Sequence, residues 1–222
     1  MQIGSAIEQA LARWRRWRRE RVPGSLGLWH RERGEDRLSA GLPVRSDDLV
    51  VDAGGYEGEW AALMAWRYGC RILIIEPVSD FFRAIEKRFA DNERIKVVNA
   101  ALGGAEGTVQ IAVAAAGSSI FRGGGRMETV RMCDAPDLLK SHGPGGIACL
   151  KLNIEGAEYD VLDRLATAGV LPRIRSLVIQ FHRVVPESDR RRDMIQAKLA
   201  QTHHLVFDYP FVWERWELGP RP

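Results

Sequence analysis

Short apolar runs alternate with amphipathic stretches along most of this chain. The apolar runs are rich in Val and Ile and only a few residues long, at 50–51, Arg71–Ile75, Ile95–Val98, Ile147–Leu152 and 176–181. Helical periodicity fills the segments between them, at 60–68, 80–90, 156–168 and 187–201. Such alternation is typical of βαβ units, and strands that are apolar throughout are buried on both faces of a parallel sheet. The pattern predicts an α/β fold with a doubly wound, mostly parallel sheet.

Further strands are predicted in the middle of the chain and near its C-terminal end. Residues 107–113 and 128–132 have strand-like patterns on either side of a glycine-rich loop over 117–126. Residues 204–208 and 211–216 flank Pro210, which predicts a closing antiparallel hairpin. We therefore expect helices on both faces of the parallel sheet and this hairpin at its end.

The N-terminal segment has a different pattern from the rest of the chain. Its apolar residues follow helical spacing along one stripe, with arginines beside it, at Ile3, Ile7, Leu11, Trp14 and Trp17. Such a helix is typical of contact with a membrane surface, but a stripe that packs on the domain or on a partner has the same pattern. Glycines, prolines and charges over 22–47 predict an irregular cap. The expected organisation is a basic amphipathic helix and cap over residues 1–47, and one domain over residues 48–222.

Composition and charge exclude several classes of protein. With 45% hydrophobic and 27% charged residues among 222, the chain is too apolar to be disordered and long enough for one well-buried domain. Its net charge is +3, residues 1–21 carry +4, and the remainder therefore carries −1. Because the body is not basic, we expect no nucleic-acid partner.

Targeting signals are missing from the sequence. It contains no run of about 18 apolar residues, and arginines interrupt the N-terminus where a signal peptide has its apolar core. The three cysteines match no metal or redox spacing. These features predict a cytoplasmic protein, whose residues 1–21 either contact the inner face of a membrane or pack on protein. The sequence carries no signal for an oligomeric state.

The sharpest local motif is an acid followed by glycines, between an apolar strand and a helical stretch: Asp52-Ala53-Gly54-Gly55-Tyr56-Glu57-Gly58. Glycines let the backbone turn tightly and approach a ligand. A nicotinamide-binding loop needs glycines at 53, 55 and 58, but residue 53 is alanine and the acid precedes the glycines. A carboxylate here favours a cationic ligand, and S-adenosylmethionine fits because it carries a sulfonium and an amino group. The predicted cofactor-binding residues of this loop are Asp52, Gly54, Gly55, Tyr56 and Gly58.

The ends of the next two predicted strands extend this site. Glu76 directly follows the run Arg71–Ile75, and an acid at that place in a doubly wound sheet reaches the ribose hydroxyls of a nucleoside. Asn99 and Ala100 end the following strand, where an adenine would lie. The sequence therefore predicts a nucleoside-containing cofactor across three successive strand ends.

Polar residues also follow two later strands. Asn153 and Glu155 follow Ile147–Leu152, and Gln180 and His182 occur with the same spacing at the next strand end. Residues two apart on an extended chain project to the same side. Since ligands of open α/β sheets bind outside the carboxyl ends of the strands, we expect these side chains to meet in the same crevice.

A series of motifs in the right order resembles the FkbM family of S-adenosylmethionine-dependent O-methyltransferases. These are DAGGYEG, IIEPV, NAALGGAEGTVQIAV, SSI, LKLNIEGAEYDVL and FH, over residues 48–182. The resemblance implies a Rossmann-like class I methyltransferase sheet of seven strands, and methyl transfer to a hydroxyl on a sugar of a glycan, glycolipid or glycosylated natural product. It also implies that Asp52, Gly54 and Gly58 frame the methionine end of the cofactor and that Glu76 binds the ribose.

Methyl transfer to a hydroxyl requires alignment of the acceptor and removal of its proton. On this reading His182 is the first candidate base, because an unperturbed imidazole is largely neutral at cytoplasmic pH. Glu155 is the second, as a base or as the group that orients the hydroxyl, and Asn153 completes the predicted catalytic set. The expected partner is a small-molecule or glycan acceptor.

Two residues depart from the family pattern. Asn153 and Gln180 stand where the family usually has acids, and amide side chains neither act as bases nor carry the charge that a divalent cation prefers. We therefore expect no required metal. The departures leave a non-catalytic S-adenosylmethionine-binding relative as one alternative. An NAD-dependent oxidoreductase on a Rossmann-like sheet is the other.

Overall fold

The computed structural model describes residues 24–113 and 126–219. The expected amphipathic helix over residues 1–21 and most of the glycine-rich loop over 117–126 lie outside these ranges. Within the described ranges, no helix is long and apolar enough to cross a membrane.

Seven of the ten described strands form one mostly parallel sheet. The strands are β1 (Leu49–Ala53), β2 (Arg71–Ile75), β3 (Ile95–Val98), β4 (Ala101–Gly103), β5 (Gly107–Val113), β6 (Arg126–Asp134), β7 (Ile147–Leu152), β8 (Ile174–Ile179), β9 (His203–Tyr209) and β10 (Trp213–Leu218). The order of the large sheet is β3-β2-β1-β7-β8-β10-β9, and β10 alone runs in the opposite direction to the other six strands. This confirms the predicted α/β class, the seven-stranded sheet and the closing hairpin.

Helices cover both faces of this sheet. They are α1 (Ser25–Arg31), α2 (Glu59–Tyr68), α3 (Ser79–Arg88), α4 (Ala135–His142), α5 (Glu158–Thr167) and α6 (Ser188–Leu199). Successive strand residues point to opposite faces. Leu73 therefore packs in the core that Leu162 of α5 shares, whereas Ile74 packs on the other face with Met64 of α2. Burial on both faces explains why the strands are apolar throughout.

The middle of the chain forms a second, separate sheet. Its order is β4-β6-β5, with β5 antiparallel and β4 parallel to β6. A small apolar cluster of Val78, Ile111 and Val130 joins this sheet to the start of α3. The strands β5 and β6 were predicted, but β4 and α4 were not. β4 has three residues and α4 has eight, which is too short for either periodicity to be recognised.

The cap over residues 24–47 is more regular than expected. It contains α1 and a 3₁₀ helix at Gly34–Leu38, which corrects the prediction of an irregular cap. Trp29 is only 1% exposed and packs on Phe207 and Tyr209 of β9. Arg215 of β10 donates to the carbonyls of residues 40 and 41. The sequence did not predict α1, because the helix is short and lies among glycines and prolines. Its buried residue Trp29 packs on β9, which is far away in sequence.

Candidate active site

A cavity of about 310 Å³ lies at the carboxyl ends of β1, β2 and β7. Its polar walls are formed by Gly54, Tyr56, Glu76, Asn153 and Glu155. Apolar walls come from Ile75, Pro77, Phe81, Ala100, Ala101, Leu102, Val109, Ile111, Met132, Ile154 and Ala157, so that the small sheet closes one side. The cavity thus lies at the edge where the sequence predicted the ligand, and six of the eleven predicted site residues line it.

Gly54 turns the chain away from β1 at the cavity wall. Its φ is +81°, and a Cβ at this position would lie 1.9 Å from the backbone oxygen of Asn153. The amides of Gly54 and Gly55 both donate to the carbonyl of Ile75, at 3.0 and 3.3 Å. Only glycine fits at position 54, because any side chain would collide with the neighbouring strand end.

The rest of the loop leads into α2. Gly58 has a φ of +77° at the N-cap of the helix and does not line the cavity. Tyr56 does line it, with a φ of +50° and its ring 4.6 Å from that of Phe81. The left-handed backbone at a tyrosine is unusual and turns the amide of residue 56 towards Glu76.

In the described part of the chain, the carboxylate of Glu76 accepts hydrogen bonds from two backbone amides. The amide of Tyr56 donates to Oε2 at 2.8 Å, and the amide of Val78 donates to Oε1 at 2.9 Å. Burial of the carboxylate raises the pKa of Glu76 to about 7, and the two amide bonds only partly oppose this rise. Its carboxyl group therefore titrates near neutral pH on the cavity wall.

The two predicted residues after β3, Asn99 and Ala100, have different surroundings. Ala100 is buried in the cavity wall. Asn99 does not line the cavity. Its side-chain amide donates to the carbonyls of Glu76 and Pro77, at 2.9 and 3.0 Å. Asn99 thus fixes the segment that carries Glu76.

Asp52 lies beneath the loop rather than in the cavity wall. It is fully buried, and its Oδ1 accepts a hydrogen bond of 2.6 Å from the Nζ of Lys151. Its Oδ2 is buried without a hydrogen-bond partner in the described part of the chain. Burial raises the pKa of Asp52, and the lysine opposes the rise. The sequence predicted a contact with the ligand here, but the carboxylate faces the neighbouring strand.

Asn153 and Glu155 meet in the cavity wall, as their spacing predicted. The Oδ1 of Asn153 is buried and has no hydrogen-bond partner among the described residues. Glu155 has a φ of +54°, and its Oε1 lies 3.3 Å from the Nε2 of His182. The cavity therefore brings together an amide and a carboxylate, both of them able to bind a polar ligand.

His182 lies behind Glu155, between two carboxylates. Its Nδ1 is 2.9 Å from the Oε1 of Glu158, which also accepts the amide of Ile154 at 2.8 Å. Burial lowers the pKa of His182, but the bonds to Glu155 and Glu158 outweigh this and raise it to about 9. The ring is therefore protonated at neutral pH. This corrects the prediction of a neutral imidazole that acts as the base.

Two further residues, Lys151 and Glu158, form ion pairs at this edge that the sequence did not predict. Lys151 carries the charge that balances Asp52, and Glu158 joins the loop after β7 to His182. Glu158 also accepts the amide of Gly156 at 2.9 Å. The sequence contains both residues within LKLNIEGAEYDVL, but it gives no sign that a lysine in a buried strand faces the acid of another strand. Such a pairing depends on the strand order.

Carboxylates and histidines are common metal ligands, and this edge of the sheet carries both. Among residues 24–113 and 126–219, no group of three or more His, Cys, Asp or Glu side chains is arranged to hold one. The carboxylates of Glu155 and Glu158 instead share the imidazolium of His182.

Comparisons with known proteins agree with this geometry. By fold, the chain is similar to a candidate rRNA methylase from Clostridium thermocellum, with 10% identity, a TM-score of 0.54, and coverage of 90% of this chain and 99% of the other. It is also similar to an rRNA methylase from Streptococcus thermophilus, with 12% identity, a TM-score of 0.53, and coverage of 83% and 93%. At such identities the likeness shows the fold alone.

The sequence comparison is more specific. A search of curated proteins finds no significant match. A family model described as the methyltransferase FkbM domain matches residues 52–207, which is more than half of the chain. This match decides against the NAD-dependent alternative. The chain belongs to the FkbM family of S-adenosylmethionine-dependent methyltransferases.

Proposed function

We propose that this protein transfers a methyl group from S-adenosylmethionine to a hydroxyl on a sugar of a glycan, glycolipid or glycosylated natural product. The observation that carries the proposal is the position of two carboxylates, Glu76 and Glu155, on the wall of one cavity. The first suits a nucleoside and the second suits a hydroxyl, since each carboxylate accepts hydrogen bonds from O–H groups.

The residues of the cavity fit the cofactor. Gly54 lines the cavity without a side chain, and in this proposal the carboxylate of Glu76 would accept the ribose hydroxyls. The apolar wall around Phe81 and Ala100 suits an adenine. The buried Oδ1 of Asn153 suits a donor such as the amino group. When bound, S-adenosylmethionine supplies an electrophilic methyl group on a sulfonium.

The residues after β7 orient the acceptor and take its proton. In this proposal the hydroxyl donates to Glu155, and its proton passes to that carboxylate as the oxygen forms its new bond to carbon. His182 is a positioning residue, because its protonated ring holds Glu155 from behind and is itself held by Glu158. A positioned base contributes about 10²–10⁴-fold in rate, and alignment roughly 7–11 kcal/mol.

Charge favours a glycan acceptor over a nucleic acid. Residues 22–222 carry a net charge of −1, which does not favour a polyanionic acceptor. The rRNA methylases that share the fold are only 10% and 12% identical to this chain. A sugar offers neutral hydroxyls, which suit a cavity whose polar groups are acidic or neutral.

Transfer of a labelled methyl group tests the proposal. The protein is incubated with methyl-labelled S-adenosylmethionine and separate fractions of glycans, glycolipids, sugar nucleotides and RNA from the source cell, and titration calorimetry measures cofactor binding. We expect binding, and label in a glycan-containing fraction. Label only in RNA would contradict the sugar acceptor. Binding with no label in any fraction would support a non-catalytic relative, and no binding would contradict the whole proposal.

A further inference from the structure

The charged pair beneath the loop connects two neighbouring strands. Asp52 and Lys151 lie directly opposite each other where β1 and β7 pair in parallel. The Nζ of Lys151 lies 2.6 Å from the Oδ1 of Asp52, and the two residues are only 6% and 0% exposed. Lys151 also lies 5.6 Å from the ring centroid of Trp60 on α2. The ammonium is therefore enclosed by the sheet and by the helix that follows the loop.

Stability alone is a weak reason for such a pair. Removing two charges from water costs much of what their attraction returns, and well-packed apolar residues often replace a buried ion pair without loss. Burial raises the pKa of the Asp52 carboxyl group, and the charge of Lys151 opposes this rise. A buried lysine at this position therefore calls for a contact that an apolar side chain would not make.

That contact is with the loop. The Nζ of Lys151 donates a second hydrogen bond, of 3.2 Å, to the carbonyl oxygen of Gly54. On the other side, the amides of Gly54 and Gly55 donate to Ile75 at the end of β2. Both neighbouring strands thus hold the turn. The end of β2 accepts the amides of Gly54 and Gly55, and Lys151 of β7 donates to the carbonyl of Gly54.

The orientation of this peptide affects the cavity wall. Gly54 lines the cavity, and two residues later the amide of Tyr56 donates to Glu76 at 2.8 Å. Rotation of the peptide between residues 54 and 55 would move that amide away from the carboxylate. A chain of contacts therefore runs from Lys151, which is outside the cavity, to Glu76, which is in its wall.

The geometry points to Lys151 as a positioning residue of the cofactor site, whose ammonium fixes the carbonyl of Gly54 and with it the loop that borders the cavity. Asp52 acts through Lys151, because its Oδ1 accepts a hydrogen bond of 2.6 Å from the Nζ and so fixes the position of the donor. This inference rests on the proposed function in one respect, namely that the ligand of the loop is S-adenosylmethionine.

Three variants separate this role from a purely structural one. Lys151→Met removes the donor and leaves Asp52 without a counter-charge. The double variant Asp52→Asn/Lys151→Met removes the donor but leaves no buried charge. Arg192→Met is the matched control, because Arg192 forms an equally buried ion pair with Glu214, at 7% and 1% exposure, and neither residue lines the cavity.

Titration calorimetry with S-adenosylmethionine and thermal unfolding give the two readouts. We expect Lys151→Met to lower the Tm and to raise the Kd at least about tenfold, in line with the loss of a hydrogen bond from a charged donor. The double variant recovers the Tm but not the affinity. Arg192→Met lowers the Tm and leaves the Kd within about twofold of the wild type.

Two results would overturn the inference. One is a double variant that binds within about threefold of the wild type. The other is unchanged protection of residues 53–58 in hydrogen–deuterium exchange, which we expect to fall in the double variant but not in Arg192→Met; this readout needs no ligand. A wild-type protein that does not bind S-adenosylmethionine would contradict the proposed function instead, so the two failures are distinguishable.

Discussion

The cavity has a proposed cofactor half, around Glu76, and a proposed acceptor half, around Glu155, and these hold their carboxylates in different ways. Glu76, after β2, is bound by two neutral backbone amides. Glu155, after β7, is bound by the imidazolium of His182, which Glu158 holds from the other side. Both halves lie at the same edge of one sheet, so the difference arises from their immediate partners and not from their place in the fold.

This difference shows how burial and partner charge compete. Neutral donors do not offset the burial of Glu76, and the pKa of Glu76 rises to about 7. In the acceptor half two carboxylates share one cation, and the pKa of His182 rises to about 9 despite burial. The two halves should therefore respond to pH in separate ranges, the cofactor half near neutrality and the acceptor half well above it.

The largest expected effect is on turnover, through Glu155. Glu155→Gln keeps the size of the side chain and removes the group that takes the proton. We expect the rate of labelled methyl transfer to fall about 10²–10⁴-fold. Calorimetry should show S-adenosylmethionine affinity within about threefold of the wild type, since changes at separate sites are nearly independent.

A nearby exposed acid provides the control for this variant. Asp163 lies on α5 and pairs with Lys198 outside the cavity. Asp163→Asn should leave both turnover and affinity unchanged. Full turnover in Glu155→Gln would show that the acceptor half does not use this carboxylate as a base.

The next effect is on stability, through His182. The pKa of His182 is raised from 6.5 to about 9 in the folded protein. The contribution of this histidine to the free energy of unfolding is therefore fully present below pH 6.5 and is lost as the pH rises through 9. The shift corresponds to about 3 kcal/mol of unfolding free energy. Denaturant unfolding from pH 6 to pH 10 should show this loss in the wild type and not in His182→Asn. If the difference in unfolding free energy between the two proteins stays constant with pH, His182 is not held as a cation between Glu155 and Glu158.

The smallest effect is on cofactor affinity, through Glu76. Ribose hydroxyls donate to the ionised carboxylate, so binding should strengthen as the pH rises through the raised pKa of Glu76, at about 7. We expect S-adenosylhomocysteine to bind about tenfold more tightly at pH 8 than at pH 6. Calorimetry in two buffers of different ionisation enthalpy should detect proton release near pH 6. Affinity that does not vary over this range would place the ribose elsewhere.

The sequence was most informative where the site follows strand ends. Gly54, Glu76, Asn153 and Glu155 each stand at the end of an apolar run, and all of them line the cavity. Parallel strands place their carboxyl ends at one edge, so one-dimensional spacing is enough to bring these residues together. Of the five predicted residues in the loop motif, Gly54 and Tyr56 line the cavity, and position 54 requires glycine because a Cβ there would lie 1.9 Å from the backbone oxygen of Asn153.

The sequence was least informative about charge. His182 was predicted to be neutral because an isolated histidine is, but its state depends on Glu155 and Glu158, which the fold brings to its two nitrogens. Asp52 was predicted to face the ligand, but Lys151 lies 99 positions away and reaches it only because β7 pairs with β1. Strand order, which no local pattern contains, decided both.

By itself, then, the sequence determined the α/β class and the edge that carries the candidate site, because hydrophobic periodicity and glycine turns are local properties of the chain. Its ordered motifs indicated the family, and the family resemblance implied the seven-stranded sheet. The tertiary structure alone decided which acids reach the cavity, which ones are neutralised and at what pH they titrate. The physical reason is that a pKa and an ion pair depend on burial and on distances of a few ångströms, which are set only when distant segments pack together.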